Sequence, residues 1–227
     1  MRLTLRGTLL GMRRLIPVSL FVIPFGIAFG IAAVEAGLAP VQATLASALV
    51  FTATAQFASL EFLSEPVAFV SLALVVLALS SRQVVMSAAL SPWINRLPRF
   101  RRFLVLATLS DANFADALPD LQSGQDDLGR LFGGGVMLWV TWVASTAAGA
   151  WGGNVLGNTD AYGFSVVMVC FFAATVAGQV QLKTRQLGPV IAAVGIAVLT
   201  LPVLPTGWNI IVAAVAGGAV SVWRHAE

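Results

Sequence analysis

Five runs of this chain contain no Asp, Glu, Lys or Arg: Leu15–Val34, Val41–Leu60, Leu131–Thr159, Ala161–Leu182 and Gln186–Trp223. Each is near or above the ~20 apolar residues that carry a helix across a bilayer core, and the last is long enough to cross twice. Inside lipid the backbone must satisfy its own hydrogen bonds, which leaves helices or a closed barrel. The ~10-residue alternating segments of a membrane barrel are absent. The chain therefore reads as an all-α integral membrane protein, a polytopic helical bundle forming one transmembrane domain over residues 1–227.

Charged residues make up 10% of the chain, against about a quarter in soluble domains. A pI near 10.0 suggests nucleic acid, but the net charge is only +3. The basic residues sit at the ends of apolar runs, so a lipid bilayer is the expected surroundings and nucleic acid is not a partner. The N-terminal arginines followed by an apolar run resemble a signal peptide. That run is long and holds Pro17, Pro24, Gly26 and Gly30, which favours a retained first span. The lone Cys170 allows no disulfide framework or thiolate metal site, and the lone His225 no histidine metal site or proton relay. No P-loop, HExxH or G-x-S-x-G element occurs, so neither an enzyme nor a cofactor is expected.

Arg82 follows sixteen uncharged residues, Pro66–Ser81. A cation at bilayer depth costs ~2.5–3.5 kcal/mol on insertion scales, so it is kept where it is paired or faces a water-filled cavity. The other basic residues form five clusters, at 2–14, 96–102, 130, 183–185 and 224. The positive-inside rule assigns all five to the cytoplasm. They fit if 41–63 and 103–118 enter and leave on one side. Full crossings then fall at 15–35, 66–92, 131–151, 161–182, 189–204 and 208–223. The expectation is about six full crossings plus two re-entrant or half-membrane helices, with both termini cytoplasmic in the inner (cytoplasmic) membrane. Eight crossings is the alternative, at odds only with Arg96–Arg102. Pro17, Pro24, Gly133–Gly135, Pro202 and Pro205 suit broken helices of the kind transporters use, or merely the general frequency of Pro and Gly in membrane helices.

Thr52, Gln56 and Ser59 are spaced i, i+4, i+7, a polar stripe that either binds neighbouring helices or faces a polar substrate. Thr175 and Gln179 repeat the Thr-x-x-x-Gln spacing. Asp111, Asn113 and Asp116 form an acidic cluster flanked by apolar sequence. Asp111 is a counter-charge for Arg82, a helix cap beside Ser110, or a solvated surface group. Trp142 shares a helical face with Ser145, Thr146 and Gly149. Gly26-x-x-x-Gly30 offers a flat face for close helix packing.

These residues carry a resemblance. Pro24-Phe-Gly-Ile-Ala-Phe-Gly30, Ala48 to Phe57 around Gln56, Ser80-Ser81-Arg82-Gln83, and Leu109-Ser110-Asp111-Ala112-Asn113-Phe114-Ala115 follow one another in the order of an AzlC-type sequence, with Trp142 matching a later tryptophan. The chain thus resembles the AzlC-type family, the large subunits of branched-chain amino acid exporters. It departs at Gln83, where the family usually has His, and at Ser80 and Ala112. The resemblance implies a secondary transporter that exports a branched-chain amino acid, acts with a small AzlD-type membrane subunit and uses a coupling ion. Residue spacing and the resemblance together make Arg82, Asp111, Gln56, Thr52, Asn113, Gln83, Thr175, Gln179 and Trp142 candidates for the substrate path. Other readings are a carrier, in either direction, for another small organic ion, and a membrane scaffold without a substrate path.

Overall fold

The structure is a computed structural model and describes residues 1–60, 62–63, 69–156, 184–200, 202, 204 and 208–225. Among these residues there are helices, one isolated bridge between Arg2 and Asp127, and no strand. The helices are α1 (Leu5–Glu35), α2 (Pro40–Leu49), α3 (Ala53–Leu60), α4 (Phe69–Ile94), α5 (Arg99–Ala107), α6 (Asp111–Gln122), α7 (Gly129–Leu156), α8 (Thr184–Thr200) and α9 (Trp208–His225). Leu5–Glu35, Leu72–Ile94 and Gly129–Gly153 are long and apolar enough to cross a membrane. The crossing expected at 161–182 lies outside the described residues.

Contacts divide the chain into two compact units, Met1–Ala53 with Ser80–Phe164, and Thr54–Leu79 with Ser165–Glu227. In the first unit the central feature is a seam between α1 and α7, made possible by small residues at four-residue spacing. Side chains three and four apart share a helix face, so Gly7, Gly11, Leu15 and Ser19 line one buried stripe, continued by Gly26 and Gly30. A β-carbon at Gly11 would overlap the Arg130 carbonyl, one at Gly26 the Ser145 hydroxyl, and one at Gly30 the Thr146 carbonyl. From the other side, Gly133 meets the Thr8 carbonyl and Gly149 the Ile27 carbonyl. Partner numbers rise together along both chains, so α1 and α7 run parallel. Gly26 and Gly30 lie within this close approach.

Parallel packing brings two helix N-termini, both positive dipole ends, side by side. Asp127 sits there. Its carboxylate accepts from the Thr4 hydroxyl, from the Thr4 N–H at 3.1 Å and from the Gly129 N–H at 2.9 Å. Backbone bonds Arg2 N–H to Asp126 and Leu128 N–H to Arg2, 2.8 and 2.9 Å, complete the junction.

Pro17 and Pro24 do not break α1, nor do Gly133–Gly135 break α7. Both prolines are exposed, on the side of α1 away from the seam, where a bulky ring meets no backbone. The glycines serve close approach. The breaks fall elsewhere, at 50–52 between α2 and α3 and at 108–110 between α5 and α6. The half-membrane helix expected at 103–118 is therefore two helices rather than one.

The last turns of α4 place the remaining core of this unit. Met86, Leu90, Ile94 and Leu97 bury against Val105, Leu109, Leu121, Leu128 and Leu131, with Met1 and Leu3 packed on the same cluster. The end of α4 thus meets the beginnings of α1 and α7, so Ser80–Ile94 runs antiparallel to both. In the second unit α8 packs on α9, with Gly217 in contact with Ala193 and the Pro189 carbonyl.

Candidate functional site

Successive residues of a helix point about 100° apart, so neighbours on α4 can reach different segments. Arg82 and Gln83 do so. Arg82 Nη1 lies 2.7 Å from Asp111 Oδ2. Gln83 Nε2 donates to Thr52 Oγ1 at 3.0 Å and reaches the Phe51 carbonyl at 3.5 Å. Consecutive side chains of one helix thus touch both breaks.

Asp111 is the first residue of α6, where the free N–H groups and the helix dipole favour a carboxylate. As to the three sequence readings, Ser110 and not Asp111 occupies the cap position, while Asp111 faces Arg82 and is also half exposed. The pair is not sealed. The Arg82 side chain is 32% exposed and that of Asp111 52%, so another group can approach either charge.

Asn113 is 1% exposed, and its amide is fully used within the protein. Oδ1 accepts from the Ser110 N–H at 2.7 Å and its hydroxyl at 3.1 Å. Nδ2 donates to the carbonyls of Thr108 and Leu131, each at 3.0 Å. Gly135 leaves the room for this, since a β-carbon there would press on Asn113 Nδ2 and Thr108. Asn113 holds the break to α7.

The sequence did not reveal how the rest of α6 is held. Asp116 takes Arg14 of α1 at 2.7 Å, and Asp120 takes Arg130 of α7 at 2.5 Å with Arg14 at 3.8 Å. The three aspartates of α6 thus meet arginines from α4, α1 and α7. Asp116 and Asp120 lie at i, i+4, one face of a helix, but the expected helix stopped at Leu118 and left Asp120 in a loop.

The other candidates separate. Trp142 is 3% exposed and stacks on Phe29 within the α1–α7 seam, ring centroids 6.1 Å apart. Trp139, one turn before it, donates from Nε1 to the Ala48 carbonyl at 3.0 Å, and Ser47 shares a 2.9 Å hydrogen bond with Thr146. Both contacts fix α2 to α7. Thr52 lies in the break and not on a helix, so the stripe Thr52–Gln56–Ser59 is not one helical face. Gln56 is buried in α3, and the Ser59 hydroxyl turns back to the Gln56 carbonyl at 2.7 Å. Thr175 and Gln179 lie outside the described residues. Among the described residues no three potential metal ligands gather.

The family described as AzlC protein matches residues 17–156, well over half of the 227. The chain belongs to the AzlC family. The matched AzlC region contains most of the seam, both breaks, and Arg82, Gln83, Asp111 and Asn113. It ends before Thr175 and Gln179. The AzlC family is associated with membrane transport, and the apolar helices make this member a membrane protein. No curated protein and no solved structure matches the chain.

Proposed function

We propose that this AzlC protein is the large subunit of a secondary transporter that exports branched-chain amino acids across the cytoplasmic membrane, together with a small AzlD-type subunit. The observation that carries the reading is that Arg82 and Gln83, consecutive on α4, reach the Asp111 carboxylate just after one helix break and Thr52 within the other. Non-helical backbone at membrane depth is tolerated only where it is buried in protein or lines a cavity, and transporters build substrate sites from it.

The chemistry suits a zwitterion. Arg82 and Asp111 neutralise each other at rest. An entering amino acid places its carboxylate on the Arg82 guanidinium and its ammonium on Asp111, so one ion pair becomes two and no charge is left bare. The planar fork of arginine matches a carboxylate in a way an ammonium cannot. Asn113, with its amide committed, positions the break. Gln83 and Thr52 position the other, and the apolar side chain of the substrate needs only the surrounding Leu, Val and Phe.

The antiparallel course of Ser80–Ile94 against α1 and α7 supports six crossings with two re-entrant segments, 41–63 and 103–118, over eight crossings. Both termini are then cytoplasmic. A cysteine placed at residue 99 should resist impermeant labelling from outside, and rapid external labelling would overturn this topology.

The deciding experiment is flux of labelled leucine or valine from loaded vesicles, with and without the small subunit. Flux that needs both subunits is the expected result. No flux under either condition, with folded protein, removes the reading and leaves a carrier for another small organic ion or a scaffold.

A further inference from the structure

Of the ten arginines of the first unit, three are paired with α6 and four gather at one corner. Arg14, Arg82 and Arg130 each face an aspartate of α6. Arg96, Arg99, Arg101 and Arg102, crowded where α4 turns into α5, do not. No Asp or Glu occurs between Glu65 and Asp111. Among the described residues, none of these four guanidiniums has a carboxylate within ion-pair distance. Arg102 Nη1 donates to Asn95 Oδ1 at 3.2 Å, which ties the first turn of α5 to the end of α4. Arg96, Arg99 and Arg101 are exposed.

The positive-inside rule accounts for the sign of this cluster and not for what lies beside it. On α5, Val105 points into the core, while Phe100 is 71% and Phe103 66% exposed. Phe100, Phe103 and Ala107 are spaced i, i+3, i+7 and share the outer face, and Arg99 and Arg101 stand on either side of Phe100. A helix that shows aromatic rings and cations together on its outside matches the boundary between acyl chains and headgroups. An acidic protein surface would match the arginines and leave the two rings in water.

We propose that the α4–α5 corner is a binding surface for anionic phospholipid, with the headgroup phosphate held by Arg99, Arg101 and Arg102 and the acyl chains beside Phe100 and Phe103. The proposal does not depend on the transport reading.

The test uses the purified full chain in detergent, titrated with phosphatidylglycerol or with phosphatidylcholine of the same acyl chains. Bound lipid is read by native mass spectrometry and stability by thermal unfolding. The wild type should bind phosphatidylglycerol at least tenfold more tightly. A basic side chain near an anionic surface is worth roughly fivefold, so Arg99→Gln/Arg101→Gln/Arg102→Gln should abolish the preference. The same three changes to Lys should keep most of it, and Arg6→Gln/Arg13→Gln should keep all of it. Should the triple variant not fold, Arg101→Gln alone, at an exposed position, should reduce the preference about fivefold. A wild type without headgroup preference, a Gln variant that keeps it, or equal competition by inorganic phosphate overturns the proposal.

Discussion

Asn113 donates to the Leu131 carbonyl across 3.0 Å, and through that bond the α5–α6 break is fastened to α7. Removing the amide takes the acceptor from the Ser110 N–H and a donor from the carbonyls of Thr108 and Leu131. An unsatisfied buried polar group costs about 1–3 kcal/mol. Asn113→Ala should therefore lower stability by about 2–4 kcal/mol in thermal unfolding of the solubilised protein. Gly135→Ala, which crowds the same amide, should destabilise as well.

Arg82 and Asp111 are expected to affect transport more than stability, because their ion pair is partly exposed and such pairs contribute about 1 kcal/mol or less. Arg82→Lys and Asp111→Asn should insert and fold. Each should lower leucine efflux about tenfold or more, the loss of one charge-assisted contact of about 1.5–3 kcal/mol. Wild-type efflux in Arg82→Lys would point to the scaffold or another substrate.

The two arginines that hold the far part of α6 should differ in weight. Arg130 is 13% exposed and its partner Asp120 25%, whereas the Arg14 side chain is 50% exposed. Losing Arg130 leaves Asp120 only the more distant Arg14, 3.8 Å away, at a cost of about 2–3 kcal/mol after allowance for partial exposure. Arg14→Gln should cost about 1 kcal/mol or less. The order of unfolding temperatures, Arg130→Gln below Arg14→Gln, checks this.

Glycines of α7 give an internal comparison. A β-carbon at Gly149 would overlap the Ile27 carbonyl, while at Gly152 it would meet nothing within 4 Å. Gly149→Ala should force the helices apart and cost at least about 2 kcal/mol. Gly152→Ala should be neutral or slightly stabilising, since alanine is the better helix former. Monodisperse yield in detergent separates the two.

The membrane class and the odd position of Arg82 were legible in the sequence, both announced by composition, whereas Asp111 reads as a counter-charge, a cap or a solvated group. The breaks were not legible. Val50-Phe51-Thr52 and Thr108-Leu109-Ser110 contain neither Pro nor Gly, and they are held by Gln83 and Asn113 from outside the segment or beyond it. Pro17, Pro24 and Gly133–Gly135 look like breakers and lie in unbroken helices, because tertiary packing outweighs local preference. The partners of Asp116 and Asp120 were illegible for a simpler reason. Arg14 lies about a hundred residues from Asp116, and Arg130 lies on a different helix from Asp120, so no periodicity connects either pair.

The α1–α7 seam has a mechanical consequence. Where backbone rests on backbone, there are no rotamers to exchange, so the two helices cannot slide by repacking side chains as most helix pairs do. They form a stator. A displacement within this unit meets less resistance at α2, which polar contacts from Trp139 and Thr146 tie to α7, than along the seam.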